Sequence, residues 1–382
     1  MLLIELVYHN VLRRKARSAL TIAGIAVAVA ATSGLLSIAW RYAASAHEYY
    51  DSRGVDIVVV RAGVAERITS SLRSDAANQL RGLSGVADVD GSLTEVVSLG
   101  GSGLIGIPLH GCDPGGFAIS GLTIQSGRML QADDRGVILL GAGLAESLHK
   151  QAGQSLEVEG TEFYVVGIFA GATAIEANSL LAPLADVQQL MDRPDQVSEF
   201  QLRVAPTFQS NDQIRRLCQR IEALQNEQQQ PCGFKAQPTR DFVNSDTETR
   251  LAGAMAYGTS AIAVGLAILG MLNTMLMSVF ERTRELGILR AIGWPKKRVV
   301  KLILGESLLL ALCGAACGLA VAAVLVRLLG TWPATQALVD RSLSPSAALC
   351  GLLLAVVASL IGSLYPAYRG ASIPCTEALH YE

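Results

Sequence analysis

The chain alternates between long apolar stretches and segments in which polar residues and glycines interrupt short apolar runs. Four runs, Ser18–Trp40, Leu251–Phe280, Ser307–Val326 and Ser342–Tyr368, contain no Asp, Glu, Lys or Arg. Each reaches the about 20 residues that an α-helix needs to cross about 30 Å of hydrocarbon. Within lipid a segment must satisfy its own backbone amides, so the runs predict four transmembrane helices, at 18–40, 251–280, 302–329 and 347–368. The second is the longest; as a helix it would measure roughly 45 Å, so one end is expected to protrude.

Residues 41–250 carry a different pattern. VDIVVV at Val55–Val60 is β-branched and predicts a strand, and Ala65–Gly82 predicts a helix with Ile68, Leu72 and Leu80 on one face. GVILLG, SLEVEG and TEFYVVGIF, between Gly136 and Phe169, read as strands separated by glycine turns. Asn211–Gln228 places Ile214, Leu217, Ile221 and Leu224 at helical spacing, with Gln228–Gln230 as a solvated turn. The two ends, Tyr42–Tyr50 and Asp241–Arg250, are polar and helix-compatible, suiting stalks between a domain and its membrane spans. The expected fold is therefore four transmembrane α-helices with a large α+β extracytoplasmic domain, of two subdomains, inserted between the first and second.

Composition agrees, since 17% charged residues against 51% hydrophobic ones falls below the about 25% charge of an average soluble domain. The net charge of −2 excludes little, but the placement of the charges fixes an orientation. Arg13, Arg14, Lys15 and Arg17 precede the first run, and Arg282, Arg284, Arg290, Lys296, Lys297, Arg298 and Lys301 separate the second from the third. Basic residues near helix ends stay on the cytoplasmic side. That expectation puts 1–17, 281–301 and 369–382 inside, and 41–250 with the short loop 330–346 outside. Leu2, Leu3, Leu6 and Val7 suit either an amphipathic surface helix or an extension of the first span. Ala44-Ser45-Ala46 resembles a signal cleavage site. The apolar run before it exceeds the about 7–15 residues of a signal peptide, so an uncleaved anchor is expected.

Motifs for chemistry fail on context. Gly101-Ser102-Gly103-Leu104-Ile105-Gly106 has the letters of a dinucleotide fingerprint, but Pro108, Gly111 and Pro114 follow where a helix must start. No phosphate-binding G-x-x-x-x-G-K-[ST] occurs, so hydrolysis of ATP by these residues is not expected. Five histidines and seven cysteines lack metal-ligand spacing. Among the outward Cys112, Cys218 and Cys232 at most one disulfide can form. No catalytic constellation emerges; no directly bound cofactor, metal or nucleic acid is expected.

Two features inside the spans remain. Glu306 lies near the start of the third, where a charge costs about 2.5–3.5 kcal/mol on insertion scales, so it either snorkels to the interface or pairs with an arginine. Gly314 and Gly318, spaced G-x-x-x-G, allow a close helix approach, either within the chain or to another subunit.

The stretch LNTMLMSVFERTRELGILRAIGWPKKRVVKLILGESLLLALCGAACGL resembles the signature region of the FtsX/MacB/LolC family of ABC transporter permeases. In that family a small polar pair closes the second span, followed by ERTREIGILRAIG, a basic turn and a Glu early in the third span. Asn273, Thr274, Glu281, Arg282, Arg284, Glu285, Gly287, Arg290, Gly293 and Glu306 occupy the matching positions. LTIQSGRMLQADDRGVILLGAGLAESLHKQAGQSLEVEGTEFYVVGIF is similar to the outward domain of the MacB-like branch, and YPAYRGASIPCTEALHYE to the family's C-terminal PARRAARLDPVEALRYE. Trp294-Pro295 stands where Ala-Ser or Ala-Arg is usual, Tyr368 replaces a common basic residue, and a fused ATPase domain ahead of the first span, as in MacB, is not expected.

The resemblance implies a permease subunit in a bacterial cytoplasmic membrane, paired as a homodimer or paralogous heterodimer and driven by two copies of a separate cytoplasmic ATPase, through which alone ATP would be used. It also implies mechanical transmission to the outward domains, for export or extraction of a lipoprotein, peptide, lipid or drug-like substrate. A periplasmic adaptor, carrier or outer-membrane partner would then receive the load. The alternatives are an FtsX-like regulator that activates an extracytoplasmic enzyme, and a membrane sensor. Within this frame Glu281–Lys301 reads as the coupling element. Leu286, Leu289 and Ile292 form an apolar side resting on the spans, and Gly293 and Pro295 end the helix. Glu281, Arg282, Arg284, Glu285 and Arg290 either grip the ATPase or brace the loop against the chain's own spans.

Overall fold

The computed structural model describes residues 15–64, 67–100, 104–208, 210–225, 231–331 and 342–374. The expectations for Leu2–Val7, Gly101–Gly103, Gln228–Gln230, most of the loop 330–346 and the tail beyond 374 lie outside the described residues. The described chain divides into two compact units. One takes the residues up to Ala39, Gly253–Leu328 and those from 342 onward, and the other takes Trp40–Ala252 together with the segment that begins at Leu329.

Helix α1 (Lys15–Asp51) leads into the second unit. There β1 (Ile57–Arg61), β2 (Leu72–Arg73), α2 (Ala76–Arg81) and the long β3 (Val86–Leu99) come first. β4 (Leu104–Cys112), α3 (Phe117–Ser120), β5 (Thr123–Gly127), β6 (Val137–Gly141), α4 (Ala142–Leu148), β7 (Ser155–Val158) and β8 (Thr161–Ala170) follow. α5 (Ala174–Ala177), β9 (Leu180–Pro183), α6 (Leu184–Leu190), β10 (Gln196–Val197), β11 (Glu199–Val204), α7 (Asn211–Glu222), β12 (Phe234–Pro238) and α8 (Thr239–Ser245) complete it.

These strands build two lobes that share β3. In the first, β12, β1, β11 and the leading half of β3 lie side by side and antiparallel. With α2 between β1 and β3 and α7 between β11 and β12, this is a pair of split βαβ halves of ferredoxin-like order. Ile57, Val59, Phe200, Leu202, Leu217 and Ile221 fill the space beneath the helices. In the second lobe the trailing half of β3 pairs with β4, and the neighbours continue through β9, β6, β8 and β7. The Leu99–Val158 pair returns β7 to β3 and closes a small barrel. Leu93, Leu109, Ile138, Leu140, Phe163 and Leu180 pack into its core. Closure removes the exposed edges that such short strands would otherwise present.

The helix expected over Ala65–Gly82 is replaced by β2 and the short α2. The reason is serine chemistry, because hydroxyls that bond elsewhere compete with helix formation. Ser70 Oγ accepts the Arg61 amide at 3.0 Å, and Ser71 Oγ donates to Gln196 at 2.7 Å beside the β2–β10 pair. α7 stops at Glu222, short of Gln228, and Gln225 forms an antiparallel bridge with Pro231.

The other unit is formed by α1, α9 (Thr247–Glu281), α10 (Thr283–Ala291), α11 (Lys296–Thr331) and α12 (Pro345–Ser372). Asp246 begins α9 by accepting the Thr249 amide through its side chain, a cap that separates it from α8. Among the described residues four helices are long and apolar enough to cross a membrane: α1, α9, α11 and α12. Gly314 and Gly318 lie against α1; a Cβ would meet Ile25 Cβ at 2.7 Å on the first and the Ala26 carbonyl at 2.6 Å on the second. Gly362 brings α12 equally close to the Ile268 carbonyl of α9, at 2.7 Å. Such approaches let dispersion and backbone contacts hold helices for which lipid gives no hydrophobic drive. Ser307 donates to Ser363 at 2.9 Å and Ser359 to the Ser307 carbonyl at 2.9 Å, adding a polar seam between α11 and α12.

Candidate functional site

The residues singled out in the sequence gather at one end of the helix bundle, where α9 ends, α10 crosses and α11 begins. Arg282, between α9 and α10, donates from one terminal nitrogen to Glu306 Oε1 at 2.7 Å and from Nε to Glu285 Oε2 at 3.0 Å. Glu306 is 5% exposed, so of its two expected fates the structure selects the ion pair. Burial opposes the Arg282 charge, but Glu306 and Glu285 more than offset it and raise the guanidinium's pKa. Glu281, the last residue of α9, receives both terminal nitrogens of Arg17 in a fork, one at 2.9 Å, tying the end of α9 to the start of α1. One turn deeper, Thr21 donates to Thr274 at 3.1 Å, and Thr274 to the Gly270 carbonyl at 2.8 Å. Asn273 lies on the exposed side of α9.

α10 is fixed along one side. Leu286 is buried in the core shared with Val279, Val299, Ile303, Ala367 and Ala371, and Gly287 is buried beside it. Arg290 donates to the Ala371 carbonyl at 2.5 Å, bolting the helix to the end of α12. The helix ends in a Schellman turn: the Gly293 amide bonds the Arg290 carbonyl at 3.0 Å and the Trp294 amide the Leu289 carbonyl at 3.1 Å. Gly293 supplies the required φ of +103°. Arg298 then stacks over the Trp294 ring, 4.8 Å from its centroid.

The opposite side corrects one expectation. Ile292, expected to rest on the spans with Leu286 and Leu289, is 74% exposed. At about 100° per residue, a step of three falls about 60° behind each time, so Ile292 sits about 120° round from Leu286. Steps of four keep a straighter line, and Arg284, Ile288 and Ile292 form an exposed stripe beside exposed Glu285. Ile288 was missed in the sequence; its spacing of four from Arg284 and Ile292 was the available signal. The candidate residues thus divide into an inner set, Glu281, Arg282, Leu286, Gly287, Arg290 and Glu306, engaged within the bundle, and an outer set led by Arg284 and Glu285.

Comparison with known proteins places both halves of the chain. Residues 18–222 match the MacB-like periplasmic core domain family, and residues 257–375 match the FtsX-like permease C-terminal family. A protein of Bdellovibrio bacteriovorus named macrolide export ATP-binding/permease protein MacB is 23% identical over 98% of this chain and 61% of its own length. The protein of that name in Nitrobacter winogradskyi is 24% identical over 95% of this chain and 58% of its own. The chain therefore spans about three fifths of these relatives. The uncharacterized ABC transporter permease YknZ of Bacillus subtilis is 22% identical over 99% of this chain and 98% of its own length. The crystal structure of the periplasmic region of MacB from Actinobacillus actinomycetemcomitans covers 51% of this chain at 16% identity, with a TM-score of 0.39.

Proposed function

Since the chain belongs to the ABC transporter permeases that carry a MacB-like periplasmic core domain and an FtsX-like C-terminal region, we propose that it is a membrane subunit energised by a cytoplasmic ABC ATPase through α10. It is a multi-pass membrane protein with a large extracytoplasmic domain. In our reading the end of the bundle bearing Arg17, Glu281 and α10 faces the cytoplasm, as the basic residues require, and the membrane is the bacterial inner membrane. The complex would hold two permease chains and two ATPase copies. ATP enters only through the ATPase, and the load moved outside is a lipoprotein, peptide, lipid or drug-like molecule passed to an adaptor or carrier.

One observation carries this proposal: α10 is anchored on one side to α9, α11 and α12, yet presents Arg284, Glu285, Ile288 and Ile292 on the other. A helix held this way delivers a push to three spans together instead of absorbing it by its own rotation. The mixed surface of a cation, an anion and two branched apolar side chains suits a protein groove, where apolar anchors carry affinity and charges set register. The test is a photo-crosslinking amino acid at Ile288 in cells expressing the chain. An adduct identified by mass spectrometry as an ABC ATPase is the expected result; labelling of lipid alone would refute the assignment.

A further inference from the structure

The end of α1 grips both lobes of the extracytoplasmic domain at once. Tyr50 donates its hydroxyl to Glu199 of β11 at 3.0 Å and accepts from Arg67 at 2.8 Å, while its ring packs edge-on to Phe242 of α8 at 5.9 Å. Glu199 is fully buried and also accepts from Gln201 at 2.7 Å. These contacts belong to the ferredoxin-like lobe. Just past the helix, Arg53 turns the other way. It donates to Glu176 of α5, in the barrel lobe, at 2.6 Å and to the Ala118 carbonyl at 2.8 Å in α3, the helix after β4 whose Ala118 amide in turn bonds Asp90 of β3 at 2.8 Å. Its guanidinium also lies over the Tyr49 ring, 3.8 Å from the centroid. Arg53 and Glu176 expose 5% and 2% of their side chains, and the second Glu176 oxygen accepts the Ala172 amide at 2.7 Å.

The backbone shows why such a grip matters. β3 pairs with β11 through Ser92 and with β4 from Leu93 onward, so the strand changes partners, and lobes, between two successive residues. At that junction lies a small cavity lined by Tyr49, Arg53, Asp90, Gly91, His110 and Gln201, with the buried Gln201 Oε1 left without a hydrogen-bond partner. A partner change beside a void and an unsatisfied amide oxygen is a place where a sheet can bend. Burial, with Arg67 and Arg53 nearby, holds His110 well below the ordinary imidazole range, so the ring beside Arg53 stays neutral.

We infer that Arg53 is a positioning residue, the strut through which the end of α1 fixes the barrel lobe relative to the ferredoxin-like lobe. Displacement of α1 then carries both lobes together; without the strut, the ferredoxin-like lobe follows through Tyr50 while the barrel lobe swings about Ser92–Leu93. This rests on the transmission reading above, but the geometry of the strut does not require an ATPase.

The test uses the full chain in lipid nanodiscs, with no ATPase present. Spin labels are placed on exposed sites of the two lobes, Glu162→Cys and Arg215→Cys, after Cys232, Cys313, Cys317, Cys350 and Cys375 are replaced by Ser. The parent should give one narrow inter-label distance distribution. Arg53→Met with Glu176→Met removes both charges together, leaving no unpaired ion, and should broaden the distribution severalfold at an unchanged thermal midpoint. Arg53→Lys keeps the charge but loses the planar fork that reaches Ala118 and Tyr49, and should broaden it less. An unchanged distribution in both variants overturns the inference. So does broadening that appears only with loss of the thermal transition, because Arg53 would then be a folding residue. Coupling through α10 is tested elsewhere in the chain, so either reading can fail alone.

Discussion

The two sides of α10 contain the same kinds of residue and do different work. On the inner side Arg282, Arg290 and Leu286 are consumed by contacts with Glu306, Ala371 and the apolar core. On the outer side Arg284, Ile288 and Ile292 are exposed, with Glu285 beside them. A charge cluster that reads as one signal in the sequence is therefore a brace joined to an exposed stripe. The difference teaches that a count of arginines reads the segment as one basic cluster, whereas the partner of each arginine separates the braced side from the exposed one.

The largest effect should come from the brace. Arg282→Ala takes from the buried Glu306 the guanidinium that lies at 2.7 Å, and removing one member of such a pair costs about 3–5 kcal/mol. Thermal unfolding of the purified chain in detergent should show this, and the pair Arg282→Met with Glu306→Met should recover most of it. Full loss in the pair would mean that the charge itself matters beyond compensation.

Next is Arg290→Met, which removes a charged donor from the Ala371 carbonyl and should destabilise the bundle by about 1.5–3 kcal/mol. Thermal unfolding without a shift would show that α10 is not bolted to α12. Gly293→Ala follows. At a φ of +103° any side chain is strained, and a cost of about 1–2 kcal/mol is expected, with local amide exchange faster over 289–294. Unaltered exchange there would dissociate the Schellman turn from the placement of α10.

Much of this layout was legible because lipid imposes blunt rules. The charge-free runs of Ser18–Trp40 and Leu251–Phe280 had no soluble explanation, and both lie within helices, α1 and α9. The strand at Ile57–Arg61 was legible from its β-branched run, and that at Val137–Gly141 from an apolar run bounded by Gly. The sharing of β3 between two lobes was not, because a change of partner at Ser92–Leu93 leaves no periodic trace. Ser70 and Ser71 hid β2, since their hydroxyls find partners in Arg61 and Gln196 only after folding. At the candidate site Gly293 announced the helix end directly. The pairing of Arg282 with Glu306, distant in sequence, left two fates open that only packing could separate.

The smallest stability effect belongs to the outer stripe, and it carries the functional claim. Arg284→Ala with Ile288→Ala touches exposed groups and should change stability by less than about 1 kcal/mol. The deciding measurement is ATP hydrolysis by the ABC ATPase reconstituted in nanodiscs with the parent chain or with this double variant, against the permease alone as baseline. The permease alone should release no phosphate above background, the parent should stimulate the ATPase, and the double variant should lose at least about tenfold of that stimulation, the consequence of about 1.4 kcal/mol at the contact. Full stimulation by a double variant present at normal levels in the membrane would contradict this and leave the stripe without a part in coupling.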